Sequence, residues 1–384
     1  MELTKCKLGE LITQRREKND GSDLPICGVS KDGLIPPKQK DADTSIYNVF
    51  YRDDFIFNPA RMELNSIAIN DMYDRAICSS LYEVFYVHRT DLLLPHYLEL
   101  IIRQKWFTRY CEFLGQGSAR EYCRFGNISE IEIEFPPIEE QQKIVEYNTA
   151  IENRIALKQK INDNLVAVGT ASIQKNVGRG ALINLTEAEM DRLSFPEDFK
   201  IKTVSEFCAE TKSGSTPSRT NNEYWENGTI SWVKSGEVHN NITLQTEEYI
   251  TPLGLSESST KLLPQDTVLM AMYGVTAGEV GYLAIEATTN QAICGMICRS
   301  KAEAAYLYFS LIQSQAAISR LSNGGAQDNL SKNFIDNIKI VVPPSEFIEK
   351  LNLAAIVEQM TLNTKEITLL EELQATVLAQ LSSR

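Results

Sequence analysis

The loops of this 384-residue chain concentrate side chains suited to holding and reading a polar polymer. In the first half they are Lys31, Lys38, Lys40, Asn58, Arg61, Asn65, Arg120 and Arg124. In the second they are Lys212, Ser215, Thr216, Ser218, Arg219, Lys234, Ser235, Tyr273, Gln327, Asn329 and Lys332. Their donors and acceptors match base edges in a groove of double-stranded DNA, and their cations match phosphates. Gly236, after Lys234-Ser235, lets the backbone come close to a phosphate. A lone loop lysine or arginine is usually only solvated, and Asn58-Pro59 serves equally well to start a turn. Trp225 and Trp232 suit loop or core anchoring better than base stacking. The signal lies in the clusters, and the chemistry is binding.

Bond-making chemistry lacks its motifs. Asn58-Pro59-Ala60 has one proline where the Asn-Pro-Pro-aromatic motif of DNA amino-methyltransferases has two. Gly115-Gln116-Gly117 does not sit between a strand and a helix, and no G-x-x-x-x-G-K-[ST] occurs. Pro196-Glu197-Asp198-Phe199-Lys200 has the residue types of a nuclease centre but falls in an expected linker. The eight cysteines (Cys6, Cys27, Cys78, Cys111, Cys123, Cys208, Cys294, Cys298) form no C-x-x-C pair. With three histidines, His88, His96 and His239, they give no zinc-ligand spacing. All eight are expected to be reduced and structural. The expectation is a chain with no catalytic residue, metal or cofactor of its own.

The elements that position these loops are written twice. Pro136-Pro137 and Pro343-Pro344 lie 207 residues apart, and in that register Ile133 meets Ile340, Ile131 meets Ile338, Ile128 meets Ile335 and Gly117 meets Gly324. With small insertions, Leu8-Gly9-Glu10-Leu11 matches Val204-Ser205-Glu206-Phe207, Ala76-Ile77-Cys78 matches Ala292-Ile293-Cys294, and Tyr97-Leu98 matches Tyr306-Leu307. Asp53-Asp54-Phe55-Ile56 is similar to Gln265-Asp266-Thr267-Val268. Such ordered matches indicate tandem duplication.

After each Pro-Pro the spacing of apolar residues becomes helical. Over 138–175 it runs through Ile144, Tyr147, Ile151, Ile155, Ile161, Leu165 and Val168; over 345–381 through Leu353, Val357, Met360, Ile367, Leu370, Val377 and Leu381. The near-heptad drift predicts that the two helices, each a rod of ~57 Å at ~1.5 Å per residue, pack on each other. Ile144, Ile151, Ile155, Ile161, Leu165, Val357, Met360, Ile367, Leu370 and Val377 would form that seam; separate packing of each helix on its own domain is the alternative. Ile131-Glu132-Ile133-Glu134-Phe135 and Ile338-Lys339-Ile340-Val341-Val342 read as strands. Residues 95–110 and 302–321 read as helices, so the class is α+β. The expected segments are a first domain over 1–137, a long helix over 138–176, a connector over 177–200, a second domain over 201–344 and a long helix over 345–384.

Composition sets the outer limits. A hydrophobic fraction of 43% and a charged fraction of 23% are those of a globular chain. Its apolar runs fall short of the ~20 residues that span a bilayer, and the first residues lack an apolar h-region. A cytoplasmic protein without membrane contact is expected. The net charge is −13, and residues 1–137 carry 17 bases against 21 acids while residues 201–344 carry 10 against 14. Neither half is basic, so local clusters must make the contacts and a partner must supply much of the phosphate affinity.

The order globular, long helix, globular, long helix, with Pro-Pro before each helix, resembles the specificity subunits of Type I restriction–modification systems. Pro136-Pro137-Ile138-Glu139-Glu140-Gln141-Gln142-Lys143-Ile144-Val145 looks like that family's central conserved region. Ser213-Gly214-Ser215-Thr216-Pro217-Ser218 with Trp225, Gly228, Ile230 and Trp232 resembles the opening of many target-recognition domains. Gly28-Val29-Ser30-Lys31-Asp32-Gly33-Leu34 and Phe57-Asn58-Pro59-Ala60-Arg61 resemble another subtype. The second copy departs from the pattern, with Ser345-Glu346-Phe347-Ile348-Glu349-Lys350 replacing the Glu-Gln-Gln run.

The resemblance implies two target-recognition domains reading a bipartite DNA site, with an antiparallel coiled coil as spacer. It also implies two methyltransferase subunits carrying S-adenosylmethionine, and restriction subunits using ATP and Mg, docked on this non-catalytic chain. Rival readings are a coiled-coil interaction scaffold without a DNA role, and a stand-alone nuclease or methyltransferase.

Overall fold

A computed structural model describes residues 3–31, 33–37, 43–115, 122–183, 185, 189, 193–239, 242–323 and 329–382. The chain forms two compact units, Met1–Arg154 with Leu370–Arg384, and Ile155–Leu369. Each contains one repeated half and a stretch of both long helices.

In the first unit, strands Ile12–Arg15, Glu83–Val87, Phe55–Phe57 and Ile67–Ile69 form an antiparallel sheet in that spatial order. A second sheet orders Gly33–Ile35, Ile26–Ser30, Arg75–Cys78 and Asn48–Tyr51. Aromatic pairing draws the strands together: Phe55 and Phe85, directly opposite in register, stack at 4.9 Å between ring centroids. The core continues through Leu8, Tyr97, Leu98, Phe107 and Phe135. The helix expected over 95–110 is interrupted, running as Pro95–Ile102 and Lys105–Gly115.

The second unit repeats the plan. Glu210–Ser213, Ile293–Ile297, Thr267–Ala271, Val280–Leu283 and Ile242–Thr243 form one sheet, and Glu248–Ile250, Ile230–Val233 and Thr288–Thr289 another. The core here includes Tyr282, Tyr306, Leu307, Tyr308 and Phe309. The closing strand pairs agree residue for residue: Cys6 faces Ile133 in one copy and Lys202 faces Ile340 in the other. One sequence match is corrected. Ile293–Ile297 pairs with Glu210–Ser213 and Thr267–Ala271 as Glu83–Val87 pairs with Ile12–Arg15 and Phe55–Phe57. The counterpart of Cys294 therefore lies on Glu83–Val87, and the likeness of Ala76-Ile77-Cys78 to Ala292-Ile293-Cys294 reflects shared strand composition. The expected connector is also partly structured, since Ala181–Leu182 pairs with strand Lys339–Val342.

The central helix runs unbroken over Ile138–Asn176. Glu139 and Glu140 in its first turn and Lys175 in its last complement its dipole. It passes through Gly169, where a Cβ would strike the Phe309 ring, and stops at Gly178, whose positive φ turns its N–H onto the Ile173 and Gln174 carbonyls. The second long helix is not continuous. Ser345–Lys350 ends at Asn352, left-handed with φ 53°, before Leu353–Ser382 begins.

The two helices touch antiparallel, through polar as well as apolar groups. Within the second unit Lys158 pairs with Glu366 at 2.8 Å, and Asn162 bonds Asn363 at 2.9 Å and Thr364 at 3.3 Å. Within the first unit Gln374 donates to Asn148 at 3.0 Å and Glu152 at 3.2 Å. Val357 and Met360 are buried, while Ile144, Ile151, Ile155, Ile161, Leu165, Ile367, Leu370 and Val377 are half-buried. Tyr147 and Val168 point to solvent. All eight cysteines are free, and six are buried.

Candidate nucleic-acid interface

In the first unit a cleft of about 1490 Å³ opens between the turn after Ile26–Ser30 and a 3₁₀ turn, Pro59–Leu64. It gathers Lys31, Asn58, Arg61, Asn65 and Arg124 from three stretches of chain. The local sequence explains how the 3₁₀ turn forms. Asn58 caps it by accepting from the Ala60 N–H at 3.1 Å, Pro59 fixes its first φ, and Asn65 ends it in the left-handed region at φ 52°. Arg61 stands exposed at the kink inside this segment, its backbone leaving the helical region at φ −142° and ψ 30°. Arg124 donates to Glu83 at 3.1 Å and lies over the Tyr122 ring. Among the described residues, Lys31 and Arg61 are exposed and have no carboxylate within ion-pair reach. Lys38, Lys40 and Arg120 lie outside the described residues.

The second unit is arranged differently. Ser215, Thr216 and Ser218 stand on a loop nailed down from both sides. The indole N–H of Trp232 donates to the Ser215 carbonyl, and that of Trp225 to the Ser218 carbonyl, each at 3.1 Å. Thr260 also donates to the Ser215 carbonyl at 2.7 Å, and Thr216 donates to Gln291 at 2.5 Å. Gly214 opens this loop where a Cβ would meet the Thr289 backbone. Arg219 lies against both indoles and bonds Glu248; Lys234 bonds Glu247 at 2.5 Å and Glu248 at 3.3 Å. The hydrogen bond from Arg219, with help from Lys234, holds the Glu248 carboxyl below its usual range, so the group is ionised at neutral pH.

Five further candidates, Lys212, Ser235, Tyr273, Asn329 and Lys332, are engaged within the fold. Lys212 pairs with Glu210 at 2.9 Å, and Lys332 donates to Thr211 at 2.7 Å and Asp336 at 2.6 Å, tying a strand to a helix. Ser235 begins a 3₁₀ turn, Ser235–Glu237, that contains Gly236. Tyr273, half-exposed, bridges to Asn329, and Gln327 lies outside the described residues. Sequence reading missed Glu247 and Glu248, because what places Glu248 beside Trp232 is the antiparallel register Ser231↔Tyr249, Trp232↔Glu248. It also missed Ser79, Ser80, Tyr82 and Tyr122 on the first cleft wall.

Among the described residues no three His, Cys, Asp or Glu side chains cluster as metal ligands would, and no helix is long and apolar enough to cross a membrane. A family model described as the Type I restriction modification DNA specificity domain matches twice, over residues 6–167 and 196–375. The chain belongs to this Type I specificity family. Both matches take in a globular half and most of the helix that follows it, which is the repeat seen in the strand pairing.

The Type I restriction enzyme HindI specificity subunit of Haemophilus influenzae is 22% identical over 357 residues, covering 76% of this chain and 77% of the relative. The EcoR124I/EcoR124II specificity subunit of Escherichia coli is 27% identical over 182 residues, 46% of this chain and 44% of the relative. The crystal structure of a Type I S subunit from M. genitalium shares the fold, with a TM-score of 0.58 at 16% identity over 99% of this chain and 96% of that one. Specificity subunits of this family confer DNA sequence recognition and are not themselves catalytic.

Proposed function

We propose that each globular half reads one part of a bipartite site in double-stranded DNA. The first half would use Lys31, Asn58, Arg61, Asn65 and Arg124, and the second Ser215, Thr216, Ser218, Arg219 and Lys234. The observation that carries this reading is the first-unit cleft, where five sequence-chosen loop residues converge and two of the cations stand free among the described residues. A cleft rimmed by cations and amides matches a phosphate-flanked groove. The exposed Leu64 and Leu81 on the same wall offer apolar contact to a thymine methyl.

In this reading two methyltransferase subunits carrying S-adenosylmethionine, and restriction subunits using ATP and Mg, assemble on the chain, and the complex works in the cytoplasm. In this reading Lys212, paired with Glu210, and Lys332, tied to Thr211 and Asp336, also shape the second reader. The test is co-expression with a partner methyltransferase followed by genome-wide mapping of methylated adenine. A single two-part motif is the expected result, and methylation without any motif would overturn the reading. Arg61→Ala should relax only one part of the motif.

A further inference from the structure

Among the described residues, Arg219 is the cation of its unit whose plane is fixed by aromatic walls. The guanidinium carbon lies 3.7 Å from the Trp225 ring centroid and 4.8 Å from that of Trp232. The two indoles meet edge to face at 5.0 Å and 89°, forming a corner that admits a flat group in few orientations. Nη1 donates to the Glu248 carboxylate, which Lys234 holds from its other oxygen at 3.3 Å. Both indoles are pinned to the Ser215–Ser218 loop by their N–H groups. Half of the Arg219 side chain nevertheless remains exposed. Among the described residues, no acceptor engages its Nε or Nη2.

The first unit contains the same construction in closed form. Arg15 is sandwiched by Tyr51 at 4.7 Å and Tyr86 at 4.6 Å, and its Nε and Nη2 donate side by side to the two oxygens of Asp54 at 2.6 and 3.1 Å. That arginine is 23% exposed and its fork is filled. It is a clamp within the fold. Arg219 has the aromatic walls and the buttressing carboxylate but an open Nε–Nη2 edge.

An oriented, open pair of parallel N–H donors calls for a ligand with two acceptors in one plane. In DNA this is the N7 and O6 edge of guanine in the major groove; two oxygens of one phosphate offer the same chemistry without sequence information. Fixing the plane in advance serves discrimination between bases, whereas a phosphate contact tolerates a mobile side chain. We propose that Arg219 reads one guanine in the part of the site addressed by the second half. Trp225, Trp232 and Glu248 act as its positioning residues. The inference rests on the reading of this chain as a DNA specificity subunit and assigns a base class to one of its contacts.

The test uses the full chain with its methyltransferase partner and DNA carrying the mapped motif, with each guanine replaced in turn by 7-deazaguanine. This leaves the protein untouched and removes only N7. Wild-type complex should lose about tenfold in affinity at one guanine of one half-site. Arg219→Lys should lose a similar factor on natural DNA and show no further loss with 7-deazaguanine at that position. Glu248→Gln should lose less, with its deficit confined to the same base.

Equal weakening of natural and substituted DNA by Arg219→Ala, with a shallower salt dependence, would overturn the proposal in favour of a phosphate. Unchanged binding by that variant, or a half-site without guanine, would overturn it too and make Arg219 a clamp like Arg15. Absence of sequence-specific binding by the wild-type complex would instead defeat the broader reading of the chain.

Discussion

Asn363 shows how single polar residues give the paired helices their register. It is 1% exposed, accepts from the Lys158 ammonium at 3.1 Å and donates to Asn162 at 2.9 Å. An apolar seam tolerates sliding by a turn, whereas a buried amide matched to one partner does not. Asn363→Ala should cost about 1–3 kcal/mol, because the Asn162 amide oxygen loses its donor inside the seam and Lys158 keeps only Glu366 of its two acceptors. Urea denaturation of the full chain would register this as a lower midpoint with little change in slope. Gln141 and Ile348 occupy equivalent positions, 207 apart. Gln141 is fully buried, accepts from the Leu94 N–H and donates to the Leu92 and Pro136 carbonyls. Ile348 is 3% exposed and joins the apolar core of the second unit. The departure of the second copy from the Glu-Gln-Gln run is thus a change of anchor from hydrogen bonds to packing at one conserved structural position.

At the scale of elements, periodicity located both long helices but not their interruptions. Nothing in the spacing of apolar residues marks Asn352 as a break, since asparagine enters the left-handed region only when the following chain must change direction. Gly169 is the reverse case, a residue that often ends helices yet sits inside one. Alanine is the better helix former by ~1 kcal/mol. Here, however, a Cβ would collide with Phe309, which is fully buried and has no room to withdraw. Gly169→Ala should therefore destabilise by about 1–3 kcal/mol despite its propensity gain; a fall in thermal midpoint would bear this out, and a rise would show that the contact yields. The strands Glu132–Phe135 and Lys339–Val342 were legible from alternation and the repeat. The match of Cys78 to Cys294 was not reliable, because short buried strands share composition and only ladder pairing separates them.

For the whole molecule, charge sets the terms of binding. With a net charge of −13 and carboxylates beside Arg124, Arg219 and Lys234, the chain alone has little to release counterions with. Fluorescence anisotropy should find the isolated chain binding DNA weakly, at about the micromolar level of non-specific association or below. Addition of the methyltransferase partner proposed above should tighten binding by roughly 10³-fold or more. Tight binding by the chain alone would show that the exposed cations of the first cleft suffice. The sequence by itself determined the duplication, the α+β class, the two long helices, the loops rich in donors and the family, because each is a pattern of residue type against position. Only tertiary structure decided which donors are available. Lys212 and Lys332 look as suitable as Arg61 along the chain, yet Lys212 is held by Glu210 on its own strand and Lys332 by Asp336 one helix turn on and by Thr211 on the packed strand, while Arg61 has no carboxylate in reach among the described residues. A charge is free or neutralised according to what packs within a few ångströms of it, and for Glu248 that neighbour was fixed by sheet register, a long-range pairing that one strand's residues do not encode alone.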